Sequence, residues 1–121
     1  MPEKTLAEKL LINSGRNLAL INPPRELSGI LPSADVHSPE KSNILLAFIK
    51  SRNALLDLLP KLETLVKTDG IVWIAYPKLT SKQKTDINRD SINAQAKLAG
   101  WMGVAMIAID ETWSALRIRP L

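Results

Sequence analysis

Cysteine is absent from the 121 residues, and histidine occurs once, as His37. The first absence excludes disulfides, thiol nucleophiles and cysteine-ligated zinc or iron–sulfur centres. The second leaves any Ser-His-Asp triad or multi-histidine metal site to be built around His37 alone. His37 follows a weak strand near prolines with no orienting partner close in sequence, so it reads as a surface residue rather than a base. No catalytic residue, metal or cofactor is therefore expected. Long apolar runs are also missing. The longest, Trp101 to Ile109, is far below the ~18 residues that a membrane span needs. Glu3 and Glu8 stand among the N-terminal lysines, which does not suit a signal peptide. The expectation is a cytoplasmic protein with no membrane partner.

With 45% apolar and 23% charged residues, the chain has the balance of an ordinary globular domain rather than a disordered one. No repeat or linker divides it, so residues 1–121 are expected to pack as a single domain around one sheet. The net charge is +4, yet the cations are dispersed. Only Lys78, Lys82 and Lys84 cluster, and no aromatic is interleaved with them as a stacking surface. A solvated face explains them better than a nucleic-acid site, and nucleic acid is not expected as a partner.

Along the chain, residues 2–12 read as a short amphipathic helix with Leu6, Leu10 and Leu11 on one face. The sheet core is expected over residues 16–121. A first strand spans Arg16 to Asn22 and is closed by Pro23-Pro24. A helical turn follows around Glu26 to Leu31, then a weak strand at Ala34 to His37. Asn43 to Ile49 is a continuous apolar run, the pattern of a strand buried on both faces. Ser51 is the N-cap of a leucine-rich helix that continues to about Lys67, with Pro60 kinking or restarting it.

Thr68-Asp69-Gly70 is expected to close that helix. The run Gly70-Ile71-Val72-Trp73-Ile74-Ala75-Tyr76-Pro77-Lys78 then forms a buried strand that delivers Lys78 just beyond its end. Thr85-Asp86 opens a further helix, with Asp86 as the N-cap that accepts backbone donors, Ile87 as an apolar staple and a local ion pair within the run Asp86 to Asp90. Gly100 ends that helix. Val104 to Ile109, a turn at Asp110-Glu111-Thr112, and Trp113 to Arg119 complete the chain as a hairpin. Strand alternating with helix and then a hairpin implies a three-layer, Rossmann-like α/β sandwich. Its sheet should be mostly parallel, with an antiparallel strand at one edge.

The residues Trp73-Ile74-Ala75-Tyr76-Pro77-Lys78, Thr85-Asp86-Ile87-Asn88-Arg89-Asp90, Gly100-Trp101 and Asp110-Glu111-Thr112-Trp113-Ser114-Ala115-Leu116-Arg117 resemble a family of small bacterial proteins. That family is known only as a domain of unknown function. The resemblance covers the chain from about Leu18 onward and implies a fold rather than a reaction. The order of elements is also similar, more distantly, to the latter half of class I methyltransferases. Those enzymes place a glycine-rich loop after their first strand so that the backbone approaches the cofactor. Here the first strand ends in Asn22-Pro23-Pro24, with no glycine before Gly29, and cofactor binding in the usual mode is not expected.

In open α/β sheets ligands bind beyond the carboxyl ends of the strands. Lys50, Arg52 and Lys78 stand at those ends, close to the helix starts at Ser51 and Asp86. Cations beside free backbone donors can hold a small phosphate or carboxylate. Asp86 and Arg89 would be further polar groups of that anion site, and Tyr76 and Trp113 would cap a pocket or an interface. Three functions are compatible with this inventory. The favoured one is a non-catalytic binding or assembly module, with a homodimer formed through an unprotected strand edge. The others are a small, methyltransferase-like enzyme and a weak nucleic-acid binder.

Overall fold

The protein is described by a computed structural model, which defines residues 9–10, 18–27, 42–62, 66–78 and 87–121. Five strands form one sheet: β1 (Leu18–Ile21), β2 (Ser42–Phe48), β3 (Val66–Pro77), β4 (Trp101–Ala108) and β5 (Trp113–Pro120). Helix α1 (Arg52–Leu58) lies between β2 and β3, and α2 (Arg89–Leu98) lies between β3 and β4. Short 3-10 turns occupy Arg25–Leu27 and Leu59–Lys61. The spatial order is β1-β2-β3-β5-β4. β1 pairs with β2, and β2 with β3, in parallel; β5 runs antiparallel to both β3 and β4. Four strands thus share a direction and β5 alone is reversed. The reversed strand is not at the edge, because β5 inserts between β3 and β4 and leaves β4 outermost.

Period-two alternation sorts the strand residues onto two cores. Leu45, Ala47, Val72, Ile74, Tyr76, Leu116 and Ile118 face the two helices, which close over them with Leu55, Leu58, Ile92 and Ala96. Ile44, Leu46, Phe48, Trp73, Ala75, Trp113 and Ala115 face the other way, where Leu10 and Leu27 pack against them. Both faces are therefore dry, which is why β2 and β3 read as continuous apolar runs rather than alternating ones. Among the described residues both α-helices lie on one face. The expected helix over 2–12 is represented only by Lys9 and Leu10, and the weak strand at 34–37 lies outside the described residues.

The region from Ser51 to Gly70 differs from expectation. Ser51 does cap α1, its hydroxyl accepting from the Ala54 N–H at 3.1 Å, but α1 ends at Leu58 rather than near Lys67. Pro60 sits in the first turn of the 3-10 segment that follows. A proline has no N–H and its ring crowds the preceding turn, so the helix tightens and stops. β3 already begins at Val66, so Thr68-Asp69-Gly70 lies inside a strand instead of closing a helix. Its turn chemistry surfaces as a break in register: Ser42 pairs with Val66 but Ile44 pairs with Ile71. The extra β3 residues bulge there before regular pairing resumes.

The second helix also starts elsewhere. Asn88, not Asp86, is its N-cap: the Asn88 side chain accepts from the Ser91 N–H at 2.9 Å, and the Ser91 hydroxyl accepts from the Asn88 N–H at 2.9 Å. This reciprocal pair is a capping box with serine in the third position. Ile87, 2% exposed, precedes the cap and joins Ile92 in the core, forming the expected staple. Gly100, with φ of 91°, ends the helix where a side chain would be strained.

Candidate functional site

All four co-directional strands end at one edge of the sheet, and β5 begins there. That edge gathers Asn22 after β1, Lys50 and Ser51 after β2, Lys78 after β3, Asp110 after β4, and Trp113. The hairpin turn pins the middle of the edge. Asp110 Oδ1 accepts from the Thr112 and Trp113 N–H groups at 2.8 and 2.7 Å, and the Lys78 N–H donates to the Thr112 carbonyl at 2.7 Å. Asp110 is thus a turn residue, as its sequence context implies, and Lys78 is held in place through its backbone.

Among the described residues, three cavities open near this edge. The first, of about 300 Å³, is bordered by Tyr76 and Lys78 from β3, Asn88, Arg89 and Asp90 from the start of α2, and Met106 and Ser114 from the hairpin. Register explains the grouping. Tyr76 lies opposite Ser114, and β5 carries Ser114 against Ala108 of β4. The Tyr76 hydroxyl donates to the Met106 thioether at 3.1 Å. Burial pushes the Tyr76 phenol above its ordinary pKa; Arg89 opposes that rise and Asp90 adds to it. The phenol therefore stays protonated at neutral pH, as a donor. Arg89 and Asp90 pair at 3.5 Å, both largely exposed, so the pair itself adds little stability.

The second cavity, of about 460 Å³, is bordered by Asn22, Pro23, Pro24, Phe48, Lys50, Ser51, Ala54 and Trp113. The third, of about 180 Å³, lies between the helices and includes Arg52. The residues singled out from sequence are thus distributed. Tyr76, Lys78 and Arg89 border one cavity, Lys50 and Trp113 another, and Arg52 a third. Asp86 lies outside the described residues, as do His37, Lys82 and Lys84. Among the described residues no three histidine, aspartate or glutamate side chains gather where a metal ion could sit.

Sequence reading missed Asn88, Met106 and Ser114 as lining residues. Asn88 was legible through its spacing to Ser91, the capping-box interval. Met106 and Ser114 had no local signal, because only the insertion of β5 between β3 and β4 brings them to Tyr76. The three tryptophans are core residues: Trp73, Trp101 and Trp113 are 1%, 6% and 0% exposed. Trp73 donates its indole N–H to the Leu10 carbonyl at 3.1 Å. The Trp113 indole N–H, by contrast, is buried without a partner among the described residues.

Residues 33–120 match the sequence profile of a family described as "Protein of unknown function (DUF3052)". No curated protein matches the chain. Among solved structures, LepI in complex with SAM superposes with a TM-score of 0.57 at 13% identity, over 96% of this chain and 39% of LepI. The mitomycin 7-O-methyltransferase MmcR gives 0.56 at 14% identity, over 88% of this chain and 42% of that one. A structure described as a pericyclic reaction enzyme gives 0.50 at 12% identity, over 96% and 39%. At such identities the likeness is one of fold. The chain spans about two-fifths of the length of these three structures.

Proposed function

The chain belongs to the DUF3052 family of proteins of unknown function, and for this member we propose a small-anion binding module. Its site is the cavity between Tyr76, Lys78 and the first turn of α2. The observation that carries this reading is that Lys78 and Arg89, from different elements, border one cavity of about 300 Å³ with Asp90 as its one acidic neighbour among the described residues. The helix start adds backbone donors and the positive end of a dipole. The Tyr76 phenol, held protonated, supplies a further neutral donor. A carboxylate or phosphate of a few atoms suits that volume and polarity. Arg89 would make the directional contacts and Lys78 the point-charge contact.

Isothermal titration with inorganic phosphate and with acetate tests the site. Binding should weaken about tenfold in Lys78→Ala and in Arg89→Ala, the usual loss for a charge-assisted hydrogen bond. Absence of heat at millimolar anion, or binding indifferent to both substitutions, removes the reading.

A second reading is self-association. Among the described residues β4 is one of the two edge strands and carries no charged residue, and Val104 and Met106 on it are 41% and 48% exposed. An open, uncharged edge is a template for a second copy, because antiparallel self-pairing meets no like-charge clash. The homodimer, a cytoplasmic location and a third layer over the Leu10 face belong to the same proposal. The enzymatic alternative rests on fold likeness alone, and titration with adenosylmethionine addresses it. Nucleic acid is not proposed as a partner; binding that falls steeply with salt would reverse that.

A further inference from the structure

We infer that the second cavity, over the ends of β1, β2 and β5, is a separate site for a flat organic anion, an aryl carboxylate being the simplest case. Its lining, its charge and its local backbone and side-chain departures converge on that reading. Its volume is about 460 Å³ and its lining is chiefly ring-bearing, with Pro23, Pro24, Phe48 and Trp113. Phe48 and Trp113 meet edge to face, their centroids 5.3 Å apart at 79°, so the two rings hold each other rigidly as a packing surface. A mostly apolar, partly aromatic lining with a few polar groups is the profile of a small-molecule pocket rather than of a bare phosphate site.

The polar groups set the sign of the ligand. Lys50 holds its ammonium 5.9 Å from the centre of the Trp113 ring, beside the rings that would receive an apolar body. A carboxylate attached to such a body would reach that ammonium while its ring packs on Phe48 and the prolines. No acidic side chain borders the cavity among the described residues.

The remaining features are local departures from ordinary structure. Asn22 has φ of 51°, the one non-glycine residue with positive φ among the described residues. Its successor is Pro23, and a residue before proline is pushed toward extended backbone, which makes the left-handed conformation doubly disfavoured there. Such strain persists where surrounding structure imposes it, and it clusters at binding sites. The turn it makes brings the Asn22 carboxamide and both prolines to the cavity. In the same lining, Trp113 is fully buried with its indole N–H unpaired among the described residues, and unpaired buried donors are rare enough to require a reason. A site that accepts an anion beside this ring supplies one.

Proton–nitrogen correlation spectra of the full chain provide the test, since its three tryptophans give three indole signals and Trp113→Phe identifies the relevant one. Should that variant not fold, Trp73→Phe and Trp101→Phe assign it by elimination. Benzoate at millimolar concentration should shift the Trp113 signal saturably. Benzamide, its neutral counterpart, should bind about tenfold more weakly, as should benzoate to Lys50→Met. Lys78→Ala, which alters the first cavity, should leave the benzoate response unchanged. No shift with benzoate, equal response to benzamide, or indifference to Lys50→Met overturns the inference. A benzoate response lost in Lys78→Ala also overturns it, by placing the ligand in the first cavity. The phosphate titration stands or falls separately.

Discussion

Trp73 and Trp113 face the same core yet differ in one hydrogen bond, and that difference is measurable. The Trp73 indole is satisfied by the Leu10 carbonyl, whereas the Trp113 indole has no acceptor among the described residues. Phenylalanine at either position loses similar volume, but at Trp73 it also strands a buried carbonyl, while at Trp113 it removes an unpaired donor. Trp73→Phe should therefore cost about 1–2 kcal/mol more than Trp113→Phe in urea denaturation. Tyr76 offers a cleaner residue-scale readout because it is the chain's single tyrosine. Its phenol is raised above 10.0 by burial, so its phenolate absorbance should appear later than that of a free phenol. The folded state holds this proton more tightly than the unfolded chain does. The resulting stabilisation is complete below pH 10.0 and is lost as pH rises through the folded value, a loss that Tyr76→Phe should abolish.

Among the elements, α2 and β4 separate what local pattern encodes from what it does not. The start of α2 depends on Asn88, whose side chain and Ser91 cap each other. Asn88→Ala should cost about 1 kcal/mol, read from the shift in denaturation midpoint, and it should also loosen Arg89 at the first cavity. Sequence reading favoured Asp86 because a carboxylate is a good cap in isolation; the choice fell to the residue whose partner stands three positions on. β4 was legible as a strand, but its position at the open edge was not, since hairpin order does not say which arm joins the sheet. Placing a charge on that edge tests its use. Val104→Lys should convert any concentration-dependent dimer to monomer in sedimentation, with little change in monomer stability, because Val104 is 41% exposed.

At the scale of the whole molecule, the central strands β2 and β3 are covered on both faces, and the second face depends on Leu10, which is fully buried. Leu10→Ala should cost about 2–5 kcal/mol in urea denaturation, the range for truncating a core leucine. A loss below 1 kcal/mol, small for a closed core, would mean that this face does not pack as described. Sequence alone determined the α/β class, the apolar strands β2 and β3, the cap at Ser51 and the turn at Asp110. Each of these is set by neighbours within a few residues: period, capping spacing, a glycine or a proline. The insertion of β5 between β3 and β4, the register break near Gly70, the meeting of Tyr76 with Met106, and the division of Lys50, Arg52 and Lys78 among three cavities were decided only by tertiary structure. Those features depend on which strand edges pair across long separations in the chain, and pairing is settled by burying both faces of the sheet at once.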